Sequence, residues 1–129
     1  MSINEIYSGL PHELESELKE IETVLLNVQN TFPQIAREQA QKRFAYEIAR
    51  ARETEAIEYA PIPEGKKKPT VDAIKAMVDL RIQDEMEASR NATAELEIAK
   101  VVFDSVKTRL TSIQTRARLT KAEMEFTRN

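Results

Sequence analysis

The feature that most constrains the fold is a stretch, residues 70–129, that contains neither glycine nor proline. Both residues interrupt helices, so their absence permits a long uninterrupted helix. Apolar residues recur there at alternating spacings of four and three, a rhythm typical of a coiled-coil seam. We expect this seam to pair the subunits of a homo-oligomer. Its members in the C-terminal helix are Leu96, Phe103, Val106, Leu110 and Ile113.

A single helix over residues 70–129 would be about 90 Å long, which exceeds the usual length in globular proteins. Either the helix is continuous and packs in an oligomer, or it reverses within residues 87–93. Ser, Asn and Thr in that segment are poorer helix formers that can cap or turn. We expect a hairpin or kink there, with the main oligomer seam in residues 93–125.

The N-terminal region, residues 1–60, is predicted to contain two helices. The first begins near Pro11, a residue suited to a first helical turn, and carries an apolar stripe from Leu14 to Val28. Phe32-Pro33 is expected to end it, because a proline disfavours helical geometry in the preceding residue and donates no hydrogen bond. Residues 61–69, with three prolines, one glycine and three lysines, form a loop. Residues 70–129 form the coiled-coil assembly region.

The composition favours an all-α fold of long helices in a helical hairpin or coiled-coil bundle, since two glycines are too few for a protein with many tight turns. A chain of 129 residues with 5% aromatic residues buries a modest core, which favours self-association. Cysteine is absent, so disulfides and thiolate metal sites are excluded. No apolar run approaches the roughly 20 residues that span a bilayer. We expect a cytoplasmic protein, in the bacterial host cytoplasm if a phage encodes it.

No catalytic or metal-binding motif is visible. His12 is the only histidine and lies beside Glu13 and Glu15, so it is interpreted as a solvated residue of the first helical turn. Phosphate-binding glycine loops, nucleophile elbows and zinc motifs are absent. We therefore predict a non-enzymatic protein with no catalytic residue, no cofactor and no metal.

The charges are strongly segregated along the chain. Residues 1–30 carry a net charge of −5 and residues 72–99 of −4, whereas residues 100–129 carry +4. Four cations of the C-terminal helix avoid its seam and are expected to face outward. Repeated in an oligomer, they would follow a phosphate backbone; the alternative is ordinary solvated charge that pairs with the acidic helices. These cations are Lys107, Arg109, Arg116 and Arg118.

A second basic patch mixes cations with aromatic rings that can stack on exposed bases. Core packing is the expected role of Phe44, whereas Tyr46 is expected to be free for stacking. A third source of positive charge is the loop run Lys66, Lys67 and Lys68, which is equally explained as a soluble linker. The second patch consists of Lys42, Arg43, Tyr46, Arg50 and Arg52.

The order of these features resembles the UvsY-like phage recombination mediators. The residues that carry the resemblance lie within about 36–120: segments 38–43, 58–59, 70–79 and 104–109, and Ile113. Such mediators are small oligomers that bind single-stranded DNA and help load a RecA-like recombinase in place of a single-strand-binding protein. The resemblance implies that the 42–52 cations bind DNA and that the C-terminal helix drives assembly. The acidic first helix and the lysine loop depart from the family pattern.

Two functions are therefore predicted. The first is a recombination accessory protein that binds single-stranded DNA as an oligomer and assists recombinase loading. The alternative is a helical interaction protein without nucleic-acid binding, such as a phage assembly chaperone, a scaffold or an inhibitor of a host factor, whose helices dock partner helices.

Overall fold

The structure, a computed structural model, describes residues 10–128 of the chain and the side chains of residues 10–127. This range contains three α-helices and no strand, which confirms the expected all-α class. No helix in it is long and apolar enough to cross a lipid bilayer. The helices are α1 His12–Glu58, α2 Val71–Arg81 and α3 Gln83–Arg128.

Helix α1 begins next to the proline expected at its start. The Glu15 amide donates to the Pro11 carbonyl at 3.0 Å, which closes the first turn. Glu13 and Glu15 lie in that turn, where the helix dipole stabilises negative charge.

The predicted helix break at Phe32-Pro33 is wrong, because α1 is one helix of 47 residues that contains Pro33 in its interior. Pro33 is exposed, so the carbonyl that it leaves without a partner one turn earlier remains open to water. An interior proline costs about 3 kcal/mol, a penalty that burial of apolar side chains elsewhere along the same helix can offset. The local cost of proline alone predicts a helix break, whereas packing of apolar side chains along α1 favours a continuous helix.

The Pro/Lys loop occurs where it was predicted, and residues 59–70 are not helical. Gly65 adopts φ 81°, in the left-handed region that glycine tolerates best. The Lys66 amide donates to the Pro63 carbonyl at 3.1 Å and closes this turn. Thr70 then caps α2, since its hydroxyl accepts a hydrogen bond from the Ala73 amide at 3.2 Å.

The expected hairpin or kink within residues 87–93 is also wrong, since α3 is helical throughout that segment. Thr93 satisfies its hydroxyl by donating to the Ser89 carbonyl one turn earlier, at 3.0 Å, so it neither caps nor turns the chain. The interruption lies earlier, at Ile82, where φ is −110° and ψ is 23°. The Ile82 amide still donates to the Val78 carbonyl at 3.0 Å.

Packing divides the chain into two compact units. Among the described residues, we call 10–32 with 98–128 the terminal unit and 33–97 the central unit. In the terminal unit the two segments run antiparallel, as Glu17 pairs with Arg116 and the Phe32 ring lies 6.2 Å from that of Phe103. The core of this unit joins Leu10, Leu18 and Ile21 to Val106, Ile113 and Ala117, with Leu14, Leu25 and Leu110 packed against them.

The central unit has its own core, formed where the C-terminal part of α1 meets α2. Here too the segments run antiparallel: Arg81 pairs with Glu53 at 3.1 Å, and the Gln39 amide donates to the Thr93 hydroxyl at 3.4 Å. Buried Ile57, Ile74, Val78 and Ile82 form this core, and Tyr46 and Ala49 pack against it.

Candidate nucleic-acid interface

The basic residues predicted on α1 do not share one face of the helix. At about 100° per residue, Arg43 and Arg50 lie on one flank of the packed face, Lys42 lies on the other, and Arg52 points away from it. Arg43 pairs with Glu47 at 3.1 Å. Lys42 and Arg52 are exposed and form no ion pair within residues 10–128. This patch is therefore a set of separate charges rather than one cationic surface.

The two aromatic residues of the patch exchange their predicted roles. Tyr46 packs against the central core, and its hydroxyl accepts a hydrogen bond from Arg50 at 2.7 Å. The Arg50 guanidinium also lies 5.9 Å from the Tyr46 ring centroid. Phe44, expected in the core, has 64% of its surface exposed. The reason is helical phase: Tyr46 shares the face of Ala49 and Ile57, and Phe44 lies opposite.

The loop lysines form a run of three available cations in the central unit. Lys66, Lys67 and Lys68 are all exposed, and within residues 10–128 their ammonium groups form no ion pair or hydrogen bond. Lys66 and Lys67 line a groove of about 510 Å³ between the end of α1, the loop and α2. A groove of this volume is within the range that accommodates small ligands.

The groove combines positive charge with apolar surface. Its lining includes the exposed side chains of Ile62 and Met77 and three prolines, and Arg81 contributes a third cation while paired with Glu53. Sequence reasoning missed Arg81. The available signal is its position one helical turn after Met77, on the same face of α2. Chemically, the groove can attract an anion and contact the flat apolar face of an attached group.

The basic residues of α3 also fall into two groups. Arg109 and Arg116 lie on one side of the predicted seam, and Lys107 and Arg118 on the other. They therefore do not form one cationic strip on the helix.

Two of these four cations are engaged within the terminal unit. The Arg116 guanidinium pairs with the Glu17 carboxylate of α1, and the Lys107 ammonium lies 5.3 Å from the ring centroid of Phe103. Arg109 and Arg118 are exposed and form no ion pair within the described residues. Half of the predicted C-terminal site therefore remains open to an external anion.

The residues predicted as an oligomer seam are covered by the chain itself. Val106 and Ile113 are buried against α1, and Leu110 packs against the same cluster. Phe103 is half-buried beside Phe32, and Leu96 is half-buried in the central unit. Burial of this seam therefore requires no second subunit.

His12 is exposed, and no group of three His, Asp or Glu side chains within residues 10–127 is arranged to hold a metal ion.

Comparison of the chain with protein-family models, with curated proteins and with solved structures finds no match.

Proposed function

We propose that the protein binds single-stranded DNA in a salt-dependent, sequence-tolerant manner and acts as a recombination accessory protein. The observation that carries the proposal is the run Lys66–Lys68, three exposed ammonium groups that have no partner among the side chains of residues 10–127. Two of them, Lys66 and Lys67, line a partly apolar groove. Cations that follow a phosphate backbone, combined with surface for bases, are the two elements of sequence-tolerant single-strand binding. The resemblance to UvsY-like mediators supports the same ligand.

The three predicted sources of positive charge differ in their intramolecular partners. Arg43, Arg50 and Arg116 each have a partner within the chain, so a phosphate would have to compete with that partner. The loop lysines meet no such competition. We therefore assign the main DNA contact to the loop, with Lys42 and Arg52 as additional contacts.

Fluorescence anisotropy with a labelled oligothymidylate, repeated over a range of salt concentrations, tests the proposal. The slope of log affinity against log salt falls in magnitude by about 0.7 for each phosphate contact removed from a single strand. Substituting Lys66→Gln with Lys67→Gln should therefore weaken binding and flatten the slope by about 1.4. The matched control, Lys75→Gln with Lys100→Gln, removes the same charge from two exposed lysines of α2 and α3 that lie outside the predicted basic patches.

The wild-type protein, the loop variant and the control give separable results. Equal losses in the loop variant and the control would mean that net charge, and not the loop, governs binding. No binding by the wild-type chain at low salt would refute DNA binding altogether.

The mediator role is a further step of the proposal and rests on the resemblance. If it is right, adding the protein to DNA coated with a single-strand-binding protein should shorten the lag before a RecA-like recombinase begins DNA-dependent ATP hydrolysis. An unchanged lag, with DNA binding intact, would restrict the function to DNA binding.

One observation favours the second candidate, a helical interaction protein without nucleic-acid binding. The face of α2 opposite its core carries Ala73, Met77 and Leu80, all exposed. An apolar stripe of this kind can dock a partner helix. This function would be favoured if the wild-type protein does not bind DNA but binds a phage or host protein. The Leu80→Asp variant should then no longer bind that protein.

A further inference from the structure

Helix α3 carries a second stripe of uncharged residues that the core of the terminal unit does not use. It follows the same four-three rhythm as the buried seam, about 150° away around the helix. All nine of its side chains are exposed. We call it the outer stripe: Ile98, Val101, Ser105, Thr108, Ser112, Thr115, Leu119, Ala122 and Phe126.

Charge is excluded from the outer stripe although it is frequent around it. Residues 98–126 contain nine charged residues, and every one lies between the outer stripe and the buried seam. On a face that only meets water, charged residues would be expected at some of these positions. Two uncharged faces on one helix indicate two packing surfaces, of which α1 covers one.

The polar members of the outer stripe are compatible with burial. The Thr108 hydroxyl donates to the Asp104 carbonyl at 2.9 Å, and the Thr115 hydroxyl donates to the Thr111 carbonyl at 2.9 Å. Burying these side chains would therefore not leave their hydroxyl protons without acceptors. At its ends the stripe carries large apolar groups: Ile98 is 63% exposed and Phe126 87%.

The charges beside the outer stripe identify the occupant. We infer that a second copy of this chain docks there, with the two α3 helices parallel and in register. In that arrangement the residues flanking one stripe meet those flanking the other across the seam. Asp104 of one chain would lie beside Arg109 of the second copy, and Arg118 beside Glu123.

Two charged residues that flank the outer stripe remain, Arg116 and Glu125, and Glu125 has no opposite flanking position within residues 98–126. Arg116, which pairs with Glu17 in its own chain, would lie beside the uncharged Thr111 of the second copy, so no like charges meet. An antiparallel pair with similar overlap would instead bring Arg109 of one chain close to Arg109 or Arg116 of the other. The same antiparallel register would also bring Asp104 close to Arg118 of the other chain, but only the parallel pair brings no like charges together, so charge complementarity favours the parallel orientation. This contact does not depend on DNA binding.

Disulfide trapping tests both the contact and its direction, because the chain has no native cysteine. Ser105→Cys and Ser112→Cys should each form a disulfide-linked dimer under mild oxidation, since a parallel pair in register places identical positions together. Lys100→Cys, on another face of α3, is the matched control and should remain monomeric on a non-reducing gel. Mixed Ile98→Cys and Phe126→Cys chains should not join to one another.

A charge exchange gives an independent readout by sedimentation equilibrium. Asp104→Arg should raise the dissociation constant of the dimer by about tenfold or more, because it faces Arg109 of the second copy. Adding Arg109→Asp to the same chain should restore dimerisation.

Four results would overturn the inference. They are a wild-type chain that stays monomeric at its highest soluble concentration, equal trapping at Lys100→Cys, trapping of Ile98→Cys with Phe126→Cys, and no rescue by Arg109→Asp. Circular dichroism of each variant checks that the helices are retained. These substitutions leave the loop lysines untouched, so failure here and failure of DNA binding are distinguishable.

Discussion

Replacing Pro33 by alanine should stabilise the protein, because this proline lies inside α1 and not at a helix end. Alanine supplies the amide hydrogen that proline lacks. It can donate to the carbonyl of Gln29, one turn earlier, and it removes the contact of the proline ring with that turn.

The expected gain follows from two opposing terms. Alanine is about 3 kcal/mol more favourable than proline in a helix interior. Removing a proline also frees the unfolded chain, which lowers stability by roughly 0.4–1 kcal/mol. The net increase in the free energy of unfolding should be about 2 kcal/mol, which corresponds to a rise of about 1 M in the urea midpoint.

Urea unfolding followed by circular dichroism at the helical band measures this change. Pro11→Ala is the matched control, since Pro11 lies just before α1 and its nitrogen takes no part in the helical hydrogen bonds. It should leave stability unchanged or slightly lower it. If the chain instead ended a helix at Phe32, Pro33 would occupy a favourable first-turn position and Pro33→Ala would destabilise. A lowered midpoint would refute the continuous helix.

Two further tests address the central unit, and each compares two substitutions. Val78→Ala should lower the free energy of unfolding by about 1–2 kcal/mol, because this side chain is 1% exposed. Val71 lies in the same helix and is 81% exposed, so Val71→Ala should change that free energy by less than about 0.5 kcal/mol. Equal effects of the two substitutions in urea unfolding would contradict the described core. Thr70→Ala should cost about 1 kcal/mol and Thr70→Ser should retain most of the stability, and an unchanged midpoint for Thr70→Ala in the same assay would argue against the cap.

The sequence predicted the helical class, the loop and the start of α1 because each depends on local chemistry. Proline and glycine content located residues 61–69, and Pro11 indicated the start of α1. The two predicted interruptions at Pro33 and at residues 87–93 were wrong for a shared reason. Helix propensity measures a local cost of at most a few kcal/mol, and packing of side chains along the helix outweighs it.

The candidate site was harder to predict, since it depends on where residues point and what they meet. The sequence identified the loop lysines as cations, and the structure adds that they form no ion pair among the described side chains and that Lys66 and Lys67 line a groove with Arg81. Core packing was predicted for Phe44 and exposure for Tyr46, but the structure shows the opposite. The apolar face of this part of α1 is thin, and two residues that are two positions apart lie on opposite faces of a helix. Pairing of Arg116 with Glu17 joins residues too far apart in sequence for spacing to reveal.

A four-three pattern specifies that a helix face is buried, but it does not specify what buries it. On α3 the apolar seam containing Val106 and Ile113 was expected to meet another subunit, and α1 of the same chain covers it. The acidic composition of the first helix explains this choice, since residues 1–30 at −5 are complementary to residues 100–129 at +4. The same complementarity lowers the positive field of α3, and for this reason we propose the loop rather than α3 as the main DNA contact. The surface of α3 that we propose for assembly is instead its uncharged outer stripe.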